Sequence, residues 1–102
     1  MANAIIGGQA AVPASATNVT TLLSLSAAVR TKKLTIKNAG GAANPCYLGD
    51  SDVTTAANAH VELSADQAYE YWSGESHRIS TDDVYVVGTS NAANIVYING
   101  IS

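Results

Sequence analysis

Charge is what this chain has least of. Asp, Glu, Lys and Arg make up 13% of its 102 residues, about half the usual share of roughly 25%. Ala, Ser, Thr, Asn and Gly fill the gap, giving a surface that is polar without being charged. That suits a protein packed against neighbours better than a freely diffusing enzyme. Cysteine occurs once, as Cys46, which excludes an internal disulfide and leaves stability to packing or association. Beside Tyr47 and Leu48 it reads as a small buried hydrophobe. No apolar run approaches the roughly 20 residues that span a bilayer, so no membrane is expected among the partners. Met1-Ala2-Asn3-Ala4 lacks a basic start, and Gly7-Gly8 cuts off Ile5-Ile6. The segment is therefore not read as a signal peptide, and the expected place of synthesis is a reducing cytoplasm. Without secretion, the triplet Asn18-Val19-Thr20 is a chance match to a glycosylation site.

Acids are missing from the first half and bases nearly so from the second. Arg30, Lys32, Lys33 and Lys37 are the only charged residues before Asp50, whereas Asp50 onward holds all eight acids against Arg78. If the fold keeps these segments on different faces, copies can meet basic face to acidic face. Four bases without interleaved aromatics do not make a nucleic-acid site, so nucleic acid is not expected as a partner.

One domain fits in this length. Residues 1–18 are mostly small and polar, and Gly7-Gly8 and Pro13 argue against a helix. They are read as an extended arm, with Ile5 and Ile6 either anchoring it on a neighbour or edging the domain's own sheet. Residues 19–102 carry the domain. Val19 to Leu25 is β-branched and reads as a strand, and Leu34 and Ile36 alternate with Lys33, Thr35 and Lys37. Cys46-Tyr47-Leu48 begins a strand that turns at Gly49-Asp50-Ser51-Asp52, glycine being suited to positive φ and Asp to bonding the backbone ahead. Val61 and Leu63 alternate with His60 and Glu62, and Ala68 to Trp72 is strongly β-prone. Val84 to Val87 and Asn94 to Asn99 are apolar on both faces, as in a central strand, or in a strand whose outer face meets a partner. Short strands at 8–12-residue spacing, with no helix, predict an all-β sandwich. A jelly roll is favoured, with an immunoglobulin-like sandwich as the alternative.

Few residues offer chemistry. His60 and His77, with serines and acids, supply the types of a nucleophilic triad, but there is no Gly-x-Ser-x-Gly elbow. One Cys and two distant His do not make a zinc site. Asp50-Ser51-Asp52 resembles the opening of a calcium loop, but Val61 stands at the twelfth position where a Glu is needed. No catalytic residue, metal or cofactor is therefore expected. Tyr69, Tyr71 and Trp72 are candidates for a sugar-stacking platform, although alternation puts Trp72 opposite the two tyrosines.

The run Tyr47-Leu48-Gly49-Asp50-Ser51-Asp52-Val53-Thr54, then Leu63, an aromatic strand, and Asp83-Val84-Tyr85-Val86-Val87-Gly88 resembles small β-sandwich virion proteins of tailed bacteriophages. The likeness extends over about residues 34–98. Asn58-Ala59 and Ser64-Ala65 stand where that pattern has a Gly after the Asn and a Pro-Gly turn after the Leu. The resemblance implies a capsid decoration or cement protein, synthesised in the host and placed on the virion surface, or another small head, neck or tail component. Its partners would be the major capsid protein and further copies of itself, as a homo-oligomer with a trimer favoured. The docking candidates are Ile5, Ile6, Arg30, Lys32, Lys33 and Lys37. A carbohydrate-binding module for host attachment, built on Tyr69, Tyr71 and Trp72, is the alternative of another class.

Overall fold

Alternation in the sequence becomes a buried row and an exposed row in almost every strand. Leu34 and Ile36 are fully buried while Lys37 is exposed, and Val96 and Ile98 are buried while Tyr97 and Asn99 face water. Two sheets that each present one apolar face must stack those faces together. A computed structural model shows this arrangement and describes residues 5–40, 44–55, 57–72, 79–89 and 94–101. Its strands are β1 (Ile5–Ala11), β2 (Thr17–Asn18), β3 (Arg30–Thr31), β4 (Lys33–Asn38), β5 (Cys46–Gly49), β6 (Ala59–Leu63), β7 (Ala68–Trp72), β8 (Ile79–Ser80), β9 (Tyr85–Val87) and β10 (Ile95–Ile101). One sheet runs β1-β10-β4-β7, the other β2-β9-β5-β6, and β3 and β8 form a separate ribbon.

The pairing is nested. The first strand lies against the last, the second against the next to last, and so on inward to β5 against β6, all antiparallel. The additional pairs β10–β4 and β9–β5 close the two sheets. A long hairpin rolled up in this way is a jelly roll, one of the ways in which antiparallel proteins limit exposed edges. The turn from Asp50 to Asn58 is the tip of that hairpin and the midpoint of the topology.

Side chains from both sheets meet in one core of Val12, Val19, Leu34, Ile36, Cys46, Leu48, Leu63, Val84, Val86, Val96 and Ile98. Each such side chain contributes on the order of 1.5–3 kcal/mol by leaving water. The Cys46 thiol is buried here, and burial pushes its pKa from 9.0 up to about 11. Burial also raises Tyr71, to about 12, with Tyr69 and Asp50 adding to the effect. Both groups hold their protons more tightly in the fold than in the unfolded chain. Stability from the thiol is thus fully present below pH 9 and declines as pH climbs towards 11. The urea midpoint is expected to fall steadily across that window, and Cys46→Ala should flatten the fall.

Two expectations are corrected and one open alternative is decided. The segment read as an N-terminal arm is extended, and of the two places weighed for it Ile5 to Ala11 takes the domain's own sheet, pairing in register with Ile101 to Ile95 as an edge strand. Val19 to Leu22, expected as a strand, is a single helical turn, α1. The Asn18 carboxamide accepts a bond from the Thr21 N–H at 2.9 Å and caps it. Val19 is buried, and Leu22 and Leu23 pack on the core at helical spacing. Buried Thr81 holds the turn down: its hydroxyl lies 2.6 Å from that of Thr20 and accepts the Val29 N–H at 2.9 Å. Gly49, expected at positive φ, does not adopt it; the positive φ at this turn belongs to Asn58. A Cβ on Gly49 would lie 2.8 Å from the Asn58 carbonyl oxygen and 2.9 Å from Val53. Close approach, not backbone hand, is what this glycine provides.

At the end of the sandwich away from that tip, three buried asparagines tie the loops together. Asn38 donates to the carbonyls of Asn44 (3.1 Å) and Leu63 (2.8 Å) and accepts from the Gly40 N–H (2.7 Å). Asn44 donates to the Gly40 carbonyl, and Asn94 donates to the Pro45 carbonyl while accepting from Thr89. Backbone groups in a buried loop need such partners.

Candidate docking face

Registry fixes what the outer surface of the β1-β10-β4-β7 sheet displays. Directly opposed residues share a face, so Ile5, Ile101, Lys33 and Trp72 stand at successive positions of one row across the four strands. Gly7, Asn99, Thr35 and Glu70 form the next row, and Gln9, Tyr97, Lys37 and Ala68 the third. Trp72 is 66% exposed, Tyr97 47% and Ile101 44%. Strands lie about 4.8 Å apart and residues rise about 3.4 Å, so these three groups span a patch of roughly 10 by 13 Å. Lysines stand between them. Lys33 reaches Glu70 at 3.2 Å, an exposed pair of the kind that contributes about 0–1 kcal/mol.

Of the docking candidates, Lys33 and Lys37 lie on this face. Arg30 is exposed on β3, and Lys32 joins β3 to β4 with its N–H donated to the Ile101 carbonyl at 2.7 Å, so both sit at the corner of the face. Ile5 holds a backbone register position beside Ile101. Ile6 does not belong with them: its side chain packs on the core, over Gly100, where a Cβ would lie 2.7 Å from its Cγ1. The three aromatic candidates are split as alternation requires. Tyr69 and Tyr71 take the inner row opposite Ile36 and Leu34, with their rings edge to face at 4.9 Å, and Trp72 stands alone on the outside. They do not form one stacking platform. Tyr97 and Ile101 complete the face, and their signal was the two-faced apolar character of the last strand.

The opposite sheet displays a different surface. Tyr47 and Glu62 oppose each other across β5 and β6. Burial, and then the Glu62 carboxylate to which it is hydrogen-bonded, raise the pKa of the Tyr47 phenol. A shallow open groove of about 450 Å³ is lined by Tyr47, Thr55 and the residues from Ala57 to Glu62. His60 Nε2 lies 3.6 Å from Asp50 Oδ2, and both side chains are well exposed. Water around such a pair screens the interaction between its members. His77 and Arg78 lie outside the described residues. Asp50 and Asp52 flank a turn closed by the Val53 N–H bond to the Asp50 carbonyl at 3.0 Å. Among the described residues, no three of His, Cys, Asp and Glu gather as a metal would need, and no helix is long and apolar enough to cross a membrane. Comparison with protein families, curated proteins and solved structures returns no match to the chain.

Proposed function

We propose that this chain is a structural virion protein of a tailed bacteriophage, of the decoration or cement type, that docks on an assembled head through the outer face of the β1-β10-β4-β7 sheet. The observation that carries the reading is the row of exposed apolar side chains, Tyr97 and Ile101 above all, interleaved with Lys33 and Lys37. The patch is small, but Trp and Tyr side chains displayed on one sheet face are the kind that macromolecular contacts enrich. The jelly-roll body and the motif likeness around Gly49 and Asp83 support the same reading, while fold by itself would host many functions. In this role no chemistry is performed. Modest contacts repeated over a lattice add together, and binding only the assembled shell stabilises it by mass action.

The test is occupancy on purified heads that lack the protein. Lys37→Glu combined with Tyr97→Ala is expected to weaken binding at least tenfold, equivalent to about 1.4 kcal/mol, while the thermal melt of the free protein stays near that of wild type. Heads carrying wild-type protein should also resist heat better than bare heads. Undiminished occupancy by the double variant would remove this face from the mechanism, and no binding of wild-type protein to any head or tail preparation would remove the virion role.

A further inference from the structure

We propose that Asn99-Gly100 is a deamidation site that β1 holds shut, and that isoaspartate formed there keeps β1 from pairing again. Asn99 is the one asparagine of the chain followed by glycine; the others precede Ala, Val, Ile or Pro. A side chain on the following residue hinders attack by its backbone nitrogen on the asparagine carboxamide, and glycine has none. Asn-Gly ordinarily marks a hairpin turn. Here it lies within β10, paired on both sides, with Asn99 exposed and Gly100 buried. Packing explains the glycine: a Cβ at Gly100 would lie 2.7 Å from Ile6 Cγ1 and 3.0 Å from Thr31 Cγ2. The close approach of β1 thus leaves Asn99 beside an unhindered nucleophile.

In the step, the Gly100 nitrogen bonds to Asn99 Cγ, gives its proton to water, and the carboxamide nitrogen leaves as ammonia. Water then opens the succinimide at either carbonyl, giving aspartate or isoaspartate. Ring closure has to rotate the Asn99-Gly100 peptide plane, and the sheet clamps that plane from both edges. Hydrogen-bonded pairs alternate along an antiparallel ladder. The bond from the Val12 N–H to the Asn94 carbonyl (2.8 Å) continues the β1–β10 register, so alternation assigns the Gly100 N–H to the Ile6 carbonyl. The bond from the Ala39 N–H to the Ile95 carbonyl (2.8 Å) likewise assigns the Asn99 carbonyl to the Thr35 N–H of β4. Of the two clamps, β4 is a central strand with Leu34 and Ile36 fully buried. β1 is an edge strand weakened by Gly7 and Gly8, which have no side chains to pack. Release of β1 is the easier opening, and it frees the attacking nitrogen. Isoaspartate then routes the main chain through the former side chain, adding a methylene that displaces Gly100 from Ile6. Aspartate keeps the main chain and adds a carboxylate to the outer row of Gly7, Thr35 and Glu70.

The test is peptide mapping by mass spectrometry of the full chain held in mildly alkaline buffer, with isoaspartate read by isoaspartyl methyltransferase labelling. Asn99 is expected to convert at least about tenfold faster in the urea-unfolded chain than in the folded protein, since reaction follows the open population. Below the unfolding transition, urea should leave the folded rate nearly flat, because opening one edge strand exposes little surface. Ile6→Ala, which removes the packing of β1 over Gly100, should raise the folded rate more than Leu48→Ala, which loosens the core from the other sheet. In the separated isoaspartate fraction, amides of β1 should exchange freely while those around Leu48 stay protected. Folded and unfolded chains converting alike, a folded rate that climbs with the full urea slope of global unfolding, or an Ile6→Ala variant no faster than Leu48→Ala would each overturn the gate. Protected β1 amides in the isoaspartate fraction would overturn the block on re-pairing.

Discussion

Asn38→Leu should cost this domain about 3–5 kcal/mol in urea unfolding, roughly a fifth or more of the 5–15 kcal/mol typical of a whole domain. The residue is 1% exposed, so its carboxamide has no water to fall back on. Leucine fills a similar space but removes three bonds at once, those to the Asn44 and Leu63 carbonyls and that from the Gly40 N–H. A buried polar group left without a partner costs about 1–3 kcal/mol, more than the bond itself contributes. The added apolar burial, about 25 cal/mol per Å², offsets only part of that. The loss should appear as a lower midpoint with an unchanged slope against urea. A variant as stable as wild type would mean that the backbone groups of Gly40, Asn44 and Leu63 find other partners.

Gly49→Ala should lower stability by about 1–3 kcal/mol, the usual penalty for overfilling a packed site. Two of the three atoms met by the new methyl belong to Val53, whose side chain can yield a little, but the nearest is the backbone oxygen of Asn58. Gly49→Asn decides between the two readings of this position. A turn glycine at positive φ would tolerate asparagine well, whereas a glycine required by crowding should suffer more from asparagine than from alanine. Chemical denaturation of the two variants side by side ranks them, and a milder effect from asparagine would restore the positive-φ reading.

Much of the sandwich was legible because burial follows a period of two wherever a strand has one wet face. Leu34 and Ile36 fall on the inner parity of β4, whereas Asn38 lies beyond the stretch that alternation marked and reads as loop, so its place at the buried end of the strand was not legible. The aromatic split at Tyr69, Tyr71 and Trp72 followed from the same rule. Segments governed by distant partners were not legible. Val19 to Leu22 has the residues of a strand, and its helical turn depends on a cap at Asn18 and on Thr81, far along the chain. The spacing of Val19, Leu22 and Leu23 was the available clue. Residues 5–11 look unstructured by composition because Gly7 and Gly8 have no side chains to pack; β10 holds them through the backbone. Of the lysine cluster, Lys33 and Lys37 fall on β4 of the candidate face, whereas Ile6 packs on the core, one residue of pleat away from it.

Nested pairing dictates an order of assembly. The β5–β6 hairpin closes the shortest loop, and each later pair must close a longer one, ending with β1 on β10. Closure entropy grows with loop length, so sheets built this way form slowly. Among the described strands the partner of β1 is the last to be synthesised, so the backbone groups of β1 wait longest for theirs. Zippering should therefore proceed outward from the tip, with amide exchange slowest around Leu48 and β1, an edge strand paired on one side, the first to fray.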